Sequence, residues 1–97
     1  MTLVIEDKLK KSLTNKKVNK LVVFTKTCRS WAGVSTVISA RFAGDDEVIG
    51  DNYTLVTVDG VDVYLPKEGI TYGETVKLGY SGFFGTGEIL VWGAKAL

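Results

Sequence analysis

"YTLVTVDGVDVYLP", residues 53–66, alternates apolar and polar side chains on both sides of an Asp59-Gly60 pair. A two-residue type I′ turn requires positive φ at both central residues, and Asp-Gly is among the pairs that adopt it most readily. Pairing across this turn gives the hairpin one apolar face, which is typical of a core face. The central residues of that face are four valines: Val56, Val58, Val61 and Val63. Pro66 ends the second strand, because it has no N–H to donate to the ladder.

Two segments before this hairpin also alternate with the period of two that strands have. "KLVVFTKT" (20–27) is largely apolar on both faces, which predicts a central strand. "VSTVISARF" (34–42) has one apolar face and one mostly polar face, which predicts a half-buried strand. The six residues between them, 28–33, predict a short hairpin-like loop.

The segments after residue 42 complete the β pattern. "AGDDEVIGDN" (43–52) is polar and predicts a surface loop. "ETVKLGY" (74–80) alternates as a strand does, "SGFFGTGE" (81–88) is a glycine-rich turn, and "EILVWGAKAL" (88–97) predicts a last strand with a short tail. One side of residues 74–80 is apolar and predicts further core: Val76, Leu78 and Tyr80.

The N-terminal segment has a helical period instead. Ile5, Leu9 and Leu13 lie four residues apart, so that they share one face of a helix over residues 5–15. Acids at its start and lysines at its end complement the helix dipole. Together the segments predict an α+β, mainly β domain spanning residues 1–97, with one N-terminal helix and about six or seven mostly antiparallel strands.

Composition narrows the possible functions. The chain has 97 residues, the size of a single domain, with no histidine and one cysteine. The lack of histidine excludes Ser-His-Asp and Cys-His catalysis and imidazole-ligated metals within the chain. No apolar run approaches the roughly 18 residues of a membrane span, and the N-terminal segment lacks the pattern of a signal peptide. We therefore expect a cytoplasmic protein that does not bind membranes. A catalytic role would need carboxylates, tyrosines, lysines or the lone thiol, and a conventional enzyme ranks third among the classes of function, so that we expect no enzyme.

The charge distribution is uneven. Residues 1–29 hold eight bases and two acids, a net charge of +6, whereas residues 30–97 hold four bases and nine acids, a net charge of −5. A basic segment can bind nucleic acid. Lysines are also what exposed helix faces carry, and no aromatic residues interleave with these lysines as a surface for single strands would require. We expect no nucleic-acid partner.

Three further groups of residues favour structural roles. The glycine cluster at 79–87 lacks the Lys-Ser/Thr of a phosphate-binding loop and a following helix. The acids at 45–51 lack the ligand spacing of an EF-hand. Four aromatic residues could line a pocket, although most aromatics in so small a domain belong to the core: Trp31, Phe83, Phe84 and Trp92.

Cys28, in "TKTCRSWAG" (25–33), is the candidate functional side chain. A lone cysteine is most often a small buried hydrophobe. This one follows a strand and is flanked by Lys26 and Arg29, and neighbouring cations favour the thiolate that binds metals or attacks electrophiles. Trp31 lies in the same segment. Both the functional and the structural interpretation of the thiol remain open from the local sequence.

The order of elements, with "TKTCRSWAG" and "VTVDGVDVYLP" (56–66) as its most specific parts, resembles the HesB-like, A-type iron–sulfur carrier family over about residues 3–93. The resemblance implies a compact β-rich fold in which three cysteines bind iron or a cluster. Cys28 matches the first of these cysteines. The other two form a Cys-Gly-Cys motif near the C-terminus, where this chain reads "VWGAKAL".

The chain is also similar to a related group with paired cysteines, or a selenocysteine, in the first loop. That similarity implies that Cys28 is one of a pair and that Arg29 or a neighbour replaces the other. A cluster or a structural zinc needs about four ligands, so one thiolate holds neither. A symmetric dimer would supply two.

The sequence leaves two classes of function. In the first, the chain is a degenerate HesB-like protein related to iron–sulfur cluster biosynthesis. Its carrier activity is lost or altered, and Cys28 is the one retained ligand. Iron or a cluster then binds only with extra ligands from a homodimer, a protein partner or small thiols. In the second, the chain is a non-catalytic interaction module in which Cys28 is structural and an exposed surface or edge strand binds a protein.

Overall fold

The computed structural model of the chain describes residues 1–83 and 86–96. Within them the fold is α+β and mainly β, as predicted, with one helix and seven strands. In chain order the elements are β1 (Thr2–Ile5), α1 (Asp7–Lys16), β2 (Lys20–Ser30), β3 (Gly33–Ala43), β4 (Tyr53–Val58), β5 (Val61–Pro66), β6 (Ile70–Phe83) and β7 (Thr86–Ala96).

All seven strands belong to one mixed sheet, in the order β1-β6-β7-β3-β2-β5-β4. Four of the six strand pairings are antiparallel, and the pairings of β1 with β6 and of β2 with β5 are parallel. The edge strands β1 and β4 contact each other, so the sheet curls until it is nearly closed. Its two halves join where β3 meets β7 through one bridge, Ala40 to Ile89.

The β4–β5 hairpin has the predicted register, from Val58 opposite Val61 to Thr54 opposite Leu65. Asp59 and Gly60 have φ angles of 51° and 78°, as a type I′ turn requires. Val61 and Val63 are buried, and the valines on β4 pack against them. The prediction of an apolar face directed to the core is therefore confirmed.

The core lies inside the curled sheet and beneath α1. Its fully buried side chains come from the helix and from both halves of the sheet: Leu9, Leu21, Val23, Val63, Val76 and Leu78. Tyr80 packs against this cluster, so the predicted apolar face of residues 74–80 is confirmed. β2, between β3 and β5, is the central strand that its two apolar faces predicted.

The N-terminal prediction is partly wrong. Residues 2–5 form β1, in parallel with β6, and the helix begins at Asp7 rather than at Ile5. Ile5 nevertheless belongs to the same core cluster as Leu9 and Leu13. It is the last residue of β1, and the alternation of this strand directs it inwards. The helix ends at Lys16, and Lys17 adopts the left-handed conformation that often terminates helices.

The predicted hairpin between the second and third strands is present, but its loop is shorter than the predicted residues 28–33. β2 continues to Ser30 and β3 begins at Gly33, in an unbroken ladder from Lys20 opposite Ala43 to Ser30 opposite Gly33. The connection is therefore a two-residue turn, Trp31–Ala32. The strands contain polar residues here, so the hydrophobic alternation did not show that they continue.

β6 and β7 are longer than predicted and carry an irregularity. Their register shifts between Tyr72 and Lys77. Opposite this bulge Gly93 has a φ of 86°, and a Cβ there would meet the carbonyl oxygen of Thr75. Such bulges bend a strand and change its direction. The tip of the glycine-rich turn, residues 84–85, lies outside the described residues.

Candidate functional site at the β2–β3 hairpin

The β2–β3 hairpin extends beyond the core at its turn end. Its first residues are buried, whereas every residue from 25 to 37, here called the hairpin tip, is exposed. β2 pairs with β5 only over Lys20–Val22, and Pro66 ends β5 shortly afterwards. The hairpin tip is thus a two-stranded ribbon attached to the sheet at one end.

The structure places all four candidate residues on the hairpin tip but brings only two of them together. Cys28 is exposed, lies opposite Ser35, and shares a face of the sheet with Lys26 two residues earlier. Side chains two apart on a strand are about 6.6–6.8 Å apart along it. Arg29 lies on the opposite face, and Trp31 is in the turn, where the residue is 100% exposed. One of the two predicted cations, Lys26, therefore shares the face of the thiol.

The described residues contain no group of three or more Cys, Asp or Glu side chains that could hold a metal ion. At the hairpin tip the thiol of Cys28 has only hydroxyl, amine and apolar side chains near it along the ladder. This arrangement can present one sulfur ligand or one nucleophile to a second molecule. It does not form a closed ligand set.

A groove of about 390 Å³ lies at the base of the hairpin tip, between β3 and β7. Val37 and Ile38 line one side, and Leu90 and Trp92 line the other. Neither Cys28 nor Trp31 lines it. Of the four aromatic residues considered for a pocket, Trp92 lies in this groove with Lys77 stacked 5.7 Å from its ring centre, and Phe84 lies outside the described residues.

A second groove, of about 530 Å³, lies elsewhere, between the end of α1 and the β4–β5 turn. Lys10 and Asp59 form an ion pair of 2.7 Å across it. The hydrogen bond with Asp59 raises the pKa of Lys10 above its usual value. The lining holds two lysines, Lys10 and Lys17, and two aspartates, Asp45 and Asp59, so the groove offers no net charge for a ligand.

The acidic loop after β3 has a structural role that the sequence did not indicate. Both terminal guanidinium nitrogens of Arg41 donate to the carboxylate of Glu47, which also accepts the Gly44 N–H at 3.3 Å. Lys20 donates to the Asp45 carbonyl oxygen at 2.7 Å. The hydrogen bond from Arg41 lowers the pKa of Glu47. A glutamate six residues after an arginine belongs to no sequence pattern that predicts an ion pair, so the Arg41–Glu47 pair is evident only in the folded loop.

Comparison with known proteins adds no assignment, because no protein-family model and no curated protein matches this chain. Within residues 1–83 and 86–96, no helix has the length and apolar character needed to cross a membrane.

Proposed function

We propose that this chain is a HesB-like accessory protein of iron–sulfur cluster biosynthesis that has lost or altered the carrier activity and offers Cys28 as a single thiol ligand. The observation that carries the proposal is the exposure of Cys28 on the hairpin tip. A buried thiol would fill space in the core, whereas this one is accessible to a partner. The match of "TKTCRSWAG" to the segment in which that family presents a ligand supports the same role.

The ligand count limits what the chain does alone. A cluster takes about four thiolate-type ligands. One chain supplies one, and a homodimer supplies two. Iron or a cluster is then bound only when a protein partner or small thiols complete the set. We propose no enzymatic reaction, and neither nucleic acid nor a membrane as partner.

Anaerobic reconstitution with iron and sulfide tests this function. The chain alone is expected to retain no stable, stoichiometric cluster after desalting, as judged by iron and sulfide analysis. With an excess of a small monothiol, and after anaerobic gel filtration has removed protein-free iron–thiol complexes, a thiolate–iron charge-transfer band should accompany the wild type and be absent from Cys28→Ser. A stoichiometric cluster on the chain alone, or a band unaffected by Cys28→Ser, would contradict the proposal.

Alkylation of the native protein tests the thiol itself. Cys28 should react with a small reagent such as iodoacetamide without denaturant, at a rate that rises with pH, as followed by intact mass. Lys26→Gln keeps the length of the side chain, removes the cation on the same face and should slow the reaction near neutral pH. Arg29→Gln is the matched control on the opposite face and should change the rate less. Protection of Cys28 until the protein unfolds would refute the proposed role.

A second candidate is the interaction module. It is favoured by Trp31, fully exposed at the turn, and by Val34, 66% exposed on the adjoining strand. Exposed aromatic side chains of this kind often contribute strongly to protein interfaces. The exposure of Cys28 favours the first candidate over a purely structural thiol. A biological activity that survives Cys28→Ser but is lost on Trp31→Ala would favour the second.

A further inference from the structure

The hairpin tip has an open backbone edge on each side. Asn19 accepts a hydrogen bond from Asp62 on β5 through its carbonyl oxygen, at 2.8 Å. Backbone groups alternate in direction along a strand, so odd-numbered residues of β2 direct their N–H and C=O away from β3. The antiparallel register then makes even-numbered residues of β3 point away from β2. At the tip, Thr27 and Thr36 are opposite each other and direct their backbone groups to opposite edges.

The two edges differ in how they are protected. Natural edge strands commonly carry lysine, proline or a bulge that prevents further strands from adding. The β2 edge carries Lys26 and Arg29. The β3 edge, "GVSTVIS" (33–39), has no charge, no proline and no bulge, and four of its seven residues are β-branched Val, Thr or Ile. The β3 edge is therefore a suitable template for another strand.

β7 leaves this edge open. Among the described residues β7 pairs with β3 only at Ala40, and further along it pairs with β6 in a ladder whose register shifts between Tyr72 and Lys77. The groove between Val37 and Trp92 lies at this divergence. Isolated two-stranded hairpins are at best marginally stable in water. A third strand along β3 would extend the sheet over the part of the hairpin that now lacks support.

We propose that the β3 edge, Gly33–Ser39, is the docking site for an extended, acidic segment of a partner protein, which pairs with it as an added strand. The unpaired N–H and C=O groups of a strand edge form hydrogen bonds with the backbone of another strand, so the occupant is a polypeptide in β conformation. Its sign of charge follows from the hairpin. β2 and β3 together carry four bases and no acid. Within the part of the chain that the structure describes, Lys26 and Arg29 form no ion pair.

These two cations are placed to meet such a segment. Lys26 lies opposite Val37 and Arg29 lies opposite Val34, on the two faces of the ribbon. A strand beyond β3 would be the second neighbour of β2, about 9.6 Å away at about 4.8 Å per strand spacing. A long basic side chain on β2 and a glutamate side chain on the added strand that extend towards each other can span this distance. Lys26 and Glu88 both line the groove at the base of the tip, and Glu88 would repel an acid placed next to it. The acidic residues of the partner should therefore lie near Arg29 and on the Lys26 side of the groove, with apolar residues against Leu90 and Trp92.

Synthetic peptides provide the probe. The first is acetyl-Val-Glu-Val-Thr-Glu-Val-Thr-amide, whose two glutamates are three residues apart and so lie on opposite faces of a strand, as Lys26 and Arg29 do. The second replaces both glutamates by lysine. In an NMR titration, the acidic peptide should shift the amide signals of Val34, Thr36 and Ile38 and protect them from hydrogen exchange. It should bind about tenfold or more tightly than the basic peptide at low salt, and the preference should shrink as salt screens the charges. Equal affinity of the two peptides, or no change at these amides, would overturn the proposal.

Two proline variants identify the edge. Thr36→Pro removes a donor from the β3 edge, and Thr27→Pro removes one from the β2 edge, while neither N–H belongs to the β2–β3 ladder. Thr36→Pro should weaken binding of the acidic peptide about tenfold or more, and Thr27→Pro should leave it nearly unchanged. The reverse result would place the docking site on β2 and overturn the proposal. If Thr36→Pro fails to fold, amide protection in the wild type decides.

Two controls separate this inference from other possibilities. The inference does not depend on the chemistry of Cys28, so Cys28→Ser should bind the acidic peptide like the wild type, whatever the result of cluster reconstitution. Sedimentation of the free protein tests a second copy as occupant. A dimer that is lost in Thr36→Pro but kept in Thr27→Pro would show that the β3 edge pairs with itself, and would overturn the partner assignment.

Discussion

Gly60 occupies the second central position of the β4–β5 turn with a φ of 78°, and no atom lies within 4 Å of where its Cβ would be. Space is therefore available for a side chain, and only the backbone conformation opposes one. Gly60→Val should lower the free energy of unfolding by roughly 1–3 kcal/mol, because a β-branched residue resists positive φ. Urea denaturation measures the change.

Gly50 is the matched control for Gly60. It also has open space around its Cβ position, but its φ is not in the positive region. Gly50→Val should change the denaturation midpoint much less than Gly60→Val does. An unchanged midpoint in Gly60→Val would mean that the turn tolerates a different conformation and that its register depends on the valine pairs instead.

Tyr72 links the start of β6 to the end of β5, since its hydroxyl donates to the Pro66 carbonyl oxygen at 2.7 Å. Tyr72→Phe removes this bond and should lower the free energy of unfolding by about 0.5–1.5 kcal/mol near pH 7. Burial raises the pKa of Tyr72 above its usual value. As pH rises, Tyr72 therefore ionises at a lower pH in the unfolded chain than in the folded chain. The stability that it contributes is present below about pH 10 and is lost as pH rises through its folded-state pKa.

The stability lost when Tyr72 ionises is measured by comparing the free energy of unfolding of the wild type and of Tyr72→Phe across the alkaline range. The difference should shrink with rising pH, because the phenylalanine variant has no hydroxyl to ionise. A difference that stays constant through this range would mean that Tyr72 ionises equally well in the folded and unfolded chain.

At the residue scale, sequence reasoning was successful where a local rule applies. Asp59-Gly60 defines a turn and a register by its own conformational preference. Cys28 was placed after the strand, whereas the ladder continues without a bulge to Ser30. Its place within β2 was missed because polar strand residues in an exposed ribbon look like a loop when only hydrophobic alternation is used.

At the element scale, the Arg41–Glu47 pair attaches the acidic loop to β3. The lowered pKa of Glu47 means that its contribution is present above the pKa of an unperturbed glutamate and is lost as pH falls through its folded-state value. Glu47→Gln should therefore destabilise the loop at neutral pH and have a smaller effect in acid. The measurement is the rate of limited proteolysis within residues 44–52, with an acid-active protease at the lower pH values.

Glu68→Gln is the control for this loop, because Glu68 is exposed and forms no ion pair among the described residues. It should leave the proteolysis of residues 44–52 unchanged at every pH. If Glu47→Gln behaves like Glu68→Gln at neutral pH, the backbone contact of Lys20 with Asp45 is sufficient to hold the loop.

The N-terminal elements show why boundaries were harder to predict than element types. Leu9 and Leu13 lie on the buried face of α1 as the helical period indicates. Ile5 fits that period by coincidence, because β1 alternates exposed and buried residues and ends with Ile5 inwards. The partner of β1 is β6, about 70 residues away, and a four-residue strand gives too short a pattern to be separated from a helix start.

At the scale of the whole molecule, the predicted class and approximate strand number agree with the structure, but the strand order could not be predicted. Antiparallel neighbours joined by tight turns are evident from local sequence. The parallel pairings of β1 with β6 and β2 with β5 bring together segments that are distant in sequence, and nothing local encodes them. The same is true of the bridge between β3 and β7, on which the extent of the open edge depends.

This architecture predicts two levels of stability within the single strand β2. Leu21 and Val23 are fully buried, and at its start β2 has β3 on one side and β5 on the other. From Thr25 onwards it has only β3 as a neighbour, and all its residues are exposed. Local opening is easiest where few buried contacts oppose it. The amides of Lys26 and Cys28, although they pair with β3, should exchange with solvent at least about a hundredfold faster than that of Leu21, relative to their intrinsic rates.

Native-state hydrogen exchange measured by NMR checks this difference. Leu21 and Leu78, on opposite halves of the sheet, should exchange only through global unfolding, with similar free energies, because both belong to the same core cluster. Equal protection of Cys28 and Leu21 would show that the hairpin tip unfolds together with the core and needs no third strand for support. Low protection of Cys28 that rises when an acidic strand-forming peptide is added would connect the stability of the tip to occupancy of the β3 edge.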